Sequence, residues 1–200
     1  MNFTKNSQIK LSREILPSIS KKGFKVRKVP KKVWKIISDY YKKCGRVSID
    51  QHNGLIPQDE LSYIASTNDI ENFYKLEFDV LNSLGGIHQK WAGSKNPLSS
   101  NNCYGIRVYK KGAICKPHYD HLATHHVSSI IIVDKDLGSN NNEDWHFDIK
   151  GNDGKWRKVY ANIGEMVFYE SAKCLHGRLF KFKGNSFKNF FVHYSFSQFI

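Results

Sequence analysis

The chain has 200 residues, with 31 Lys and Arg against 18 Asp and Glu, and 40% of it is apolar. That size suits one domain with a real hydrophobic core, and the formal charge of +13 favours an acidic, nucleic-acid or small anionic partner without bearing on the fold. The four cysteines (Cys44, Cys103, Cys115, Cys174) form no C-x-x-C pair, which argues against a structural zinc site and a small disulfide scaffold. The start of the sequence lacks an apolar leader core and no run approaches the roughly 20 apolar residues of a membrane span, so a cytoplasmic protein without a membrane partner is expected.

In chain order, residues 1–29 mix basic, polar and apolar positions and read as an arm or an edge strand. After Pro30, Val33, Trp34, Ile36, Ile37, Tyr40 and Tyr41 recur at three- and four-residue spacing, which predicts a helix with Gly45 as its C-cap. A polar stretch with Gly54 and Pro57 follows. Ile70, Phe73, Tyr74, Glu77, Phe78, Val80, Leu81 and Leu84 then predict a long helix ending near Gly85-Gly86 and resumed through Trp91. Trp34, Ile37, Phe73, Phe78 and Leu81 are expected to be buried as apolar stripes.

From residue 103 the pattern changes to short alternating or apolar runs separated by Gly, Asn and Asp. Strands are predicted at 103–109, 114–119, 127–133, 145–150, 155–160, 166–170, 173–176 and 187–196. Residues 137–144 and 151–154 read as loops, the latter a hairpin turn. Eight short strands with turns between them predict a double-sheet jelly roll, giving an α+β, mainly β chain. Residues 1–100 would supply the arm and supporting helices, and residues 101–200 the jelly-roll core of a single domain.

The chemistry concentrates in His118-Tyr119-Asp120 and in His176, within Cys174-Leu175-His176-Gly177-Arg178. Two imidazoles and a carboxylate are the donor set that holds Fe(II) on one face and leaves the other face open. In an extended strand, His118 and Asp120 point to one side while Tyr119 faces away. Nearby His121, His125 and His126 are weaker ligand candidates, with a loop or pocket role more in keeping with their positions. His193, inside the last apolar run, reads as an interior histidine.

Tyr104–Tyr109, Lys116–Asp120, Ser128–Val133, Gly164–Tyr169, Leu175–Arg178 and Asn189–His193 together resemble, in order, the core of prolyl 4-hydroxylase-like 2-oxoglutarate/Fe(II)-dependent dioxygenases. The resemblance covers roughly residues 100–196. It implies a double-stranded β-helix, Fe(II) on His118, Asp120 and His176, and hydroxylation of a substrate C–H with 2-oxoglutarate and O2, with ascorbate in support. The implied substrate is a prolyl residue in a peptide or protein. A lysyl side chain or a nucleic-acid base is the alternative target, and a non-catalytic jelly-roll binding module the alternative class.

The resemblance also implies a basic residue beyond the distal histidine for the far carboxylate of 2-oxoglutarate, and here the chain departs from it. The usual positions are Asn185 and Ser186. Arg178, Lys183 and Lys188 are the substitutes within reach, with Lys188 favoured by its place on the last strand and Arg178 by its planar fork. Tyr109 falls where the family uses a hydroxyl on 2-oxoglutarate, while His121 and Trp145 are candidates to touch the prime substrate.

Overall fold

The computed structural model describes residues 13–49, 61–66, 70–138 and 144–197. Among the described residues the elements run, in order, β1 (Phe24–Lys28), α1 (Lys31–Tyr41), β2 (Gly45–Ile49), β3 (Ser62–Ser66), α2 (Ile70–Ala92), β4 (Leu98–Lys110), β5 (Cys115–His118), β6 (Val127–Asp136), β7 (Phe147–Lys150), β8 (Trp156–Val159), β9 (Glu165–Tyr169), β10 (His176–Arg178) and β11 (Ser186–Phe196). They pair into a seven-stranded sheet, β1-β9-β6-β11-β4-β3-β2, and a four-stranded sheet, β5-β10-β7-β8, with every pairing antiparallel. This is the mainly β jelly roll expected from the sequence.

Two apolar layers explain the residue pattern of the central strands. On β6, Ile131 and Val133 pack with Val33, Ile37, Val80 and Leu84 of the helices, whereas Ile130 and Ile132 face the four-stranded sheet with Phe147, Ile149 and Val159. A strand covered on both faces needs apolar side chains at successive positions, hence the unbroken Ile130-Ile131-Ile132-Val133 run. On β11, Phe190, Val192 and Tyr194 face the helices, and Phe187 and Phe191 face the second sheet.

Five sequence expectations are corrected. Helix α1 is capped at Lys42, and Gly45 opens β2 instead. The pair β2–β3 flanks a stretch read only as polar from the sequence, whose Gly54 and Pro57 lie outside the described residues. Helix α2 runs unbroken through Gly85-Gly86 because Leu84, Ile87, His88 and Trp91 continue its packed face, and it stops at Gly93, whose φ of 64° is left-handed. Phe78 is 68% exposed: Leu76, Val80 and Leu84 take the buried side, and Phe78 shares the outer side with Tyr74 one turn earlier. The strand expected at 173–176 begins only at His176, since residues 171–174 make a turn closed by Lys173 and Cys174 N–H donation to the Glu170 carbonyl.

Candidate metal centre

His118, Asp120 and His176 converge so that one donor atom from each lies within 4.8 Å of the others. His118 and His176 face each other across the β5–β10 pairing. Gly177 lets these strands approach, because a side-chain carbon there would meet the Cys115 carbonyl at 2.7 Å. Asp120 lies beyond the end of β5, so its position follows from tertiary contacts rather than strand parity. Its N–H donates to the Ser171 carbonyl at 2.9 Å, and the Tyr169 hydroxyl donates to its Oδ2 at 3.2 Å.

The imidazole orientations suit a cation. His118 Nδ1 lies 2.8 Å from the Lys116 carbonyl, and His176 Nδ1 lies 2.8 Å from the Cys174 carbonyl. A carbonyl can only accept, so each Nδ1 carries a hydrogen and each Nε2 points inward, its lone pair available to a cation once that nitrogen is unprotonated. Both Nε2 atoms are 3.4 Å from Asp120 Oδ1. Asp120 thus aims one oxygen at the centre while Tyr169 holds the other. Two imidazole nitrogens and one carboxylate oxygen, each fixed from behind, match the donor chemistry of an Fe(II) facial triad.

In the metal-free protein these groups polarise one another. Burial disfavours ionisation of Asp120, but the imidazoles of His176 and His118 overcome it and hold the carboxyl well below the usual range. Burial also opposes the charged form of His118, yet Asp120 and Cys115 raise its pKa to about 10.

A polar chain backs the site. The Ser171 hydroxyl donates to the His125 carbonyl at 2.6 Å, so in the 2.6 Å Ser128–Ser171 contact Ser128 is the donor. Ser128 then accepts from His193 Nδ1 at 2.7 Å, and His193 carries its hydrogen there. Burial, reinforced by His125, whose ring lies 3.9 Å away, keeps His193 neutral. It is an interior histidine, as read from the sequence, with its Nδ1 3.9 Å from Asp120.

The candidate anchors are distributed unequally. Arg178 shares the inward face of β10 with His176 and is buried, its guanidinium 4.5 Å from the Trp145 and Phe187 rings and donating to the Trp145 carbonyl. Among the described residues its contacts are a main-chain oxygen and aromatic faces, not a carboxylate. Burial pulls its pKa down, countered by neighbours that include Tyr109. Tyr109 is buried beside Trp145, and desolvation raises its phenol to about 12 against the pull of Arg107 and Arg178. Lys188 turns toward the helices, 2.6 Å from Asp134 and bonded to the Tyr41 hydroxyl, so its charge is engaged on the far side of the sheet. Lys183 is exposed.

Trp145 is 5% exposed, and its indole N–H donates to the Phe180 carbonyl, making it a wall of the inter-sheet space. His121 is exposed, while His125 and His126 are buried. Three groups escaped the sequence reading. Arg13 lies 4.5 Å over the Tyr119 ring and donates to the Asp120 and Ala172 carbonyls, fastening the N-terminal segment beside the site. Asn189 is fully buried with neither amide atom hydrogen-bonded to a described residue. Arg107, its partner in the β4–β11 register, bonds the Tyr109 phenol. Their alternation with apolar neighbours was visible, but nothing local marks a polar side chain as facing a core.

No protein-family model matches the sequence, and no curated protein matches it significantly. Solved structures do match. A prolyl-4-hydroxylase from Pseudomonas putida aligns with 92% of this chain and 98% of its own at 11% identity and a TM-score of 0.56. A Trichoplax adhaerens prolyl hydroxylase, in complex with a hypoxia inducible factor oxygen degradation domain peptide, aligns with 98% and 94% at 13% identity and a TM-score of 0.56. HygX from Streptomyces hygroscopicus, bound to nickel, 2-oxoglutarate and hygromycin B, covers 98% and 88% at 13% identity and a TM-score of 0.58. The chain has the jelly-roll fold of the 2-oxoglutarate/Fe(II) oxygenases over nearly its whole length, with a His-Asp-His triad between its sheets.

Proposed function

We propose that this protein is an Fe(II)/2-oxoglutarate-dependent dioxygenase that hydroxylates a C–H bond, with a prolyl residue of a peptide or protein as the target. The observation that carries the oxygenase reading is the inward convergence of two Nε2 atoms and Asp120 Oδ1, each held by a second partner. His118, Asp120 and His176 would hold the iron. When bound, iron and 2-oxoglutarate supply C–H oxidation by O2 with release of succinate and CO2.

Arg178 is the residue proposed to bind the far carboxylate of 2-oxoglutarate. It lies two residues from His176 on one strand face, about 6–7 Å along the strand. Asp144 and Asp148 favour the Arg178 charge from a distance, but a buried guanidinium with no carboxylate in hydrogen-bond contact among the described residues is costly, and an incoming carboxylate relieves that cost with a forked pair of charge-assisted bonds. Tyr109 adds a hydroxyl donor beside it, and Trp145 and Phe187 keep water from the guanidinium faces. The Asn189 amide, without a hydrogen-bond partner among the described residues, offers a further donor and acceptor in the same interior. Neutral His193 carries no charge that would compete with iron for Asp120.

The prolyl target rests on the sequence resemblance and on the likeness to prolyl hydroxylase structures. Anaerobic loading with Fe(II) should give one metal per chain, and 2-oxoglutarate should be decarboxylated slowly without prime substrate. His176→Ala and Asp120→Ala should lose both properties. A peptide library and single-stranded oligonucleotides, each screened by mass spectrometry for a product heavier by one oxygen, would decide the target. Full metal occupancy and turnover in His176→Ala would refute the oxygenase reading.

A further inference from the structure

The exposed aromatic rings of this protein include a group on the outside of the four-stranded sheet, the face turned away from the metal site. On β8, Val159 points inward opposite Phe147, so Trp156 and Lys158 point outward, as does Tyr160 just beyond the strand. Lys150 and Asp148 of β7 stand opposite Trp156 and Lys158 in the register and share that face. Phe180 folds over it from beyond β10, its ring 5.4 Å from His146, which in turn lies 5.5 Å from Tyr160.

Trp156, Tyr160 and Phe180 are 45%, 54% and 55% exposed, far more than the core needs of rings this large. The ammonium of Lys158 stands 5.2 Å from the Phe180 ring centroid, and Lys158 itself lies between Trp156 and Tyr160. Lys150 and Lys158 are exposed, whereas Asp148 is 5% exposed, with one carboxylate oxygen accepting the Leu179 N–H and the other 3.2 Å from His146. The outward charge of these paired positions is therefore cationic, in a chain of formal charge +13.

We propose that this face binds single-stranded nucleic acid. Along β8 and the residue after it, Lys158 stands between the Trp156 and Tyr160 rings, about 6–7 Å from one outward side chain to the next, and Lys150 stands across from Trp156 on β7. That is the combination a single strand uses: bases stack on open ring faces irrespective of sequence, while lysines take the phosphates. A duplex hides its base faces, and an apolar protein groove has no use for a lysine between two rings, whereas an anionic lipid surface shares the charge requirement and is separated by the vesicle arm of the test. The site stands apart from the metal chemistry, so its test needs neither iron nor 2-oxoglutarate.

The experiment is fluorescence anisotropy of labelled oligo(dT) and oligo(U) with the full chain over a salt series, with Trp156 emission followed in parallel. Binding in the roughly micromolar range, with quenching of Trp156, is expected. Trp156→Ala, Tyr160→Ala and Phe180→Ala should each weaken it by about 5- to 100-fold. Lys150→Ala and Lys158→Ala should each reduce the slope of log K against log salt by about 0.7. Phe78→Ala, at an exposed ring of α2, should leave affinity unchanged. Thermal melting of every variant checks that the fold is intact. Absence of binding, or binding that these face variants do not weaken, overturns the proposal. Equal competition by polyphosphate, with the ring variants unaffected, overturns it in favour of charge alone. Trp156-dependent binding to phosphatidylserine vesicles in place of oligonucleotides assigns the face to lipid.

Discussion

Asp120 presents its two oxygens to different partners, Oδ1 to the imidazoles and Oδ2 to the Tyr169 hydroxyl, which commits it to a single metal-facing atom. The raised pKa of His118, about 10 against an ordinary 6.5, means this imidazole is charged at neutral pH in the metal-free protein. A ligand must be neutral, so metal binding there expels a proton. Affinity should rise about tenfold per pH unit between pH 7 and 9, and calorimetry in buffers of different ionisation enthalpy should register about one proton released. The same shift makes the metal-free protein more stable in the opposite direction: the contribution is complete below pH 6.5 and lost as pH rises through 10. Arg178 and Lys188 make a second test. Arg178→Gln should raise the 2-oxoglutarate KM tenfold or more, as expected for about 1.5–3 kcal/mol of lost charged hydrogen bonding, with metal binding unchanged. Lys188→Met should leave that KM within about twofold, because its partners are Asp134 and Tyr41.

At the scale of elements, helix α2 shows how burial divides a hydrophobic pattern. Val80 and Leu84 are fully buried against the seven-stranded sheet, while Phe78 is 68% exposed. Val80→Ala and Leu84→Ala should destabilise the fold, by about 2–5 kcal/mol for the larger Leu84 and less for Val80. Phe78→Ala should change it by no more than about 0.5 kcal/mol. Urea unfolding followed by circular dichroism distinguishes these outcomes, and comparable losses at both kinds of position would mean that α2 packs through its outer side as well. The turn after β9 has a different task. Glu170 accepts from the Ser20 N–H and the Asn152 amide, Ser171 holds the Asp120 N–H, and Cys174 receives His176 Nδ1. One short turn thereby ties the N-terminal segment to two of the three candidate ligands.

Across the whole molecule, the candidate metal centre is a junction between sheets. His118 and His176 come from the four-stranded sheet, and Asp120 is gripped by Tyr169 of the seven-stranded one. A cation at this point joins both, and it has no preformed site in the unfolded chain. At a free concentration 100 times its Kd, a divalent metal should add about 2.7 kcal/mol of stability, which for a chain of this size raises Tm by roughly 5–10 °C. Differential scanning calorimetry should show that rise in the wild-type protein and lose it in Asp120→Ala. A rise of equal size in the variant would place the metal elsewhere.

The local sequence determined what local physics can encode. Helix periodicity located α1 and the start of α2, alternation and Gly/Asn/Asp punctuation located seven of the eight strands expected after residue 103, and the residue types of His118, Asp120 and His176 picked out a donor set that converges in the fold. Tertiary structure decided everything that depends on which face a side chain turns to a distant partner. Lys188 looked suited to a carboxylate by its place on the last strand, but strand parity turns it to Asp134 and Tyr41. Arg178 became the buried cation because β10 carries it inward beside His176. Gly85 and Gly86 read as a stop until the neighbouring apolar face, packed on the sheet, outweighed their weak helix propensity of about 1 kcal/mol each. Asp120 meets the histidines through Ser171 and Tyr169, residues far along the chain whose approach no periodicity records.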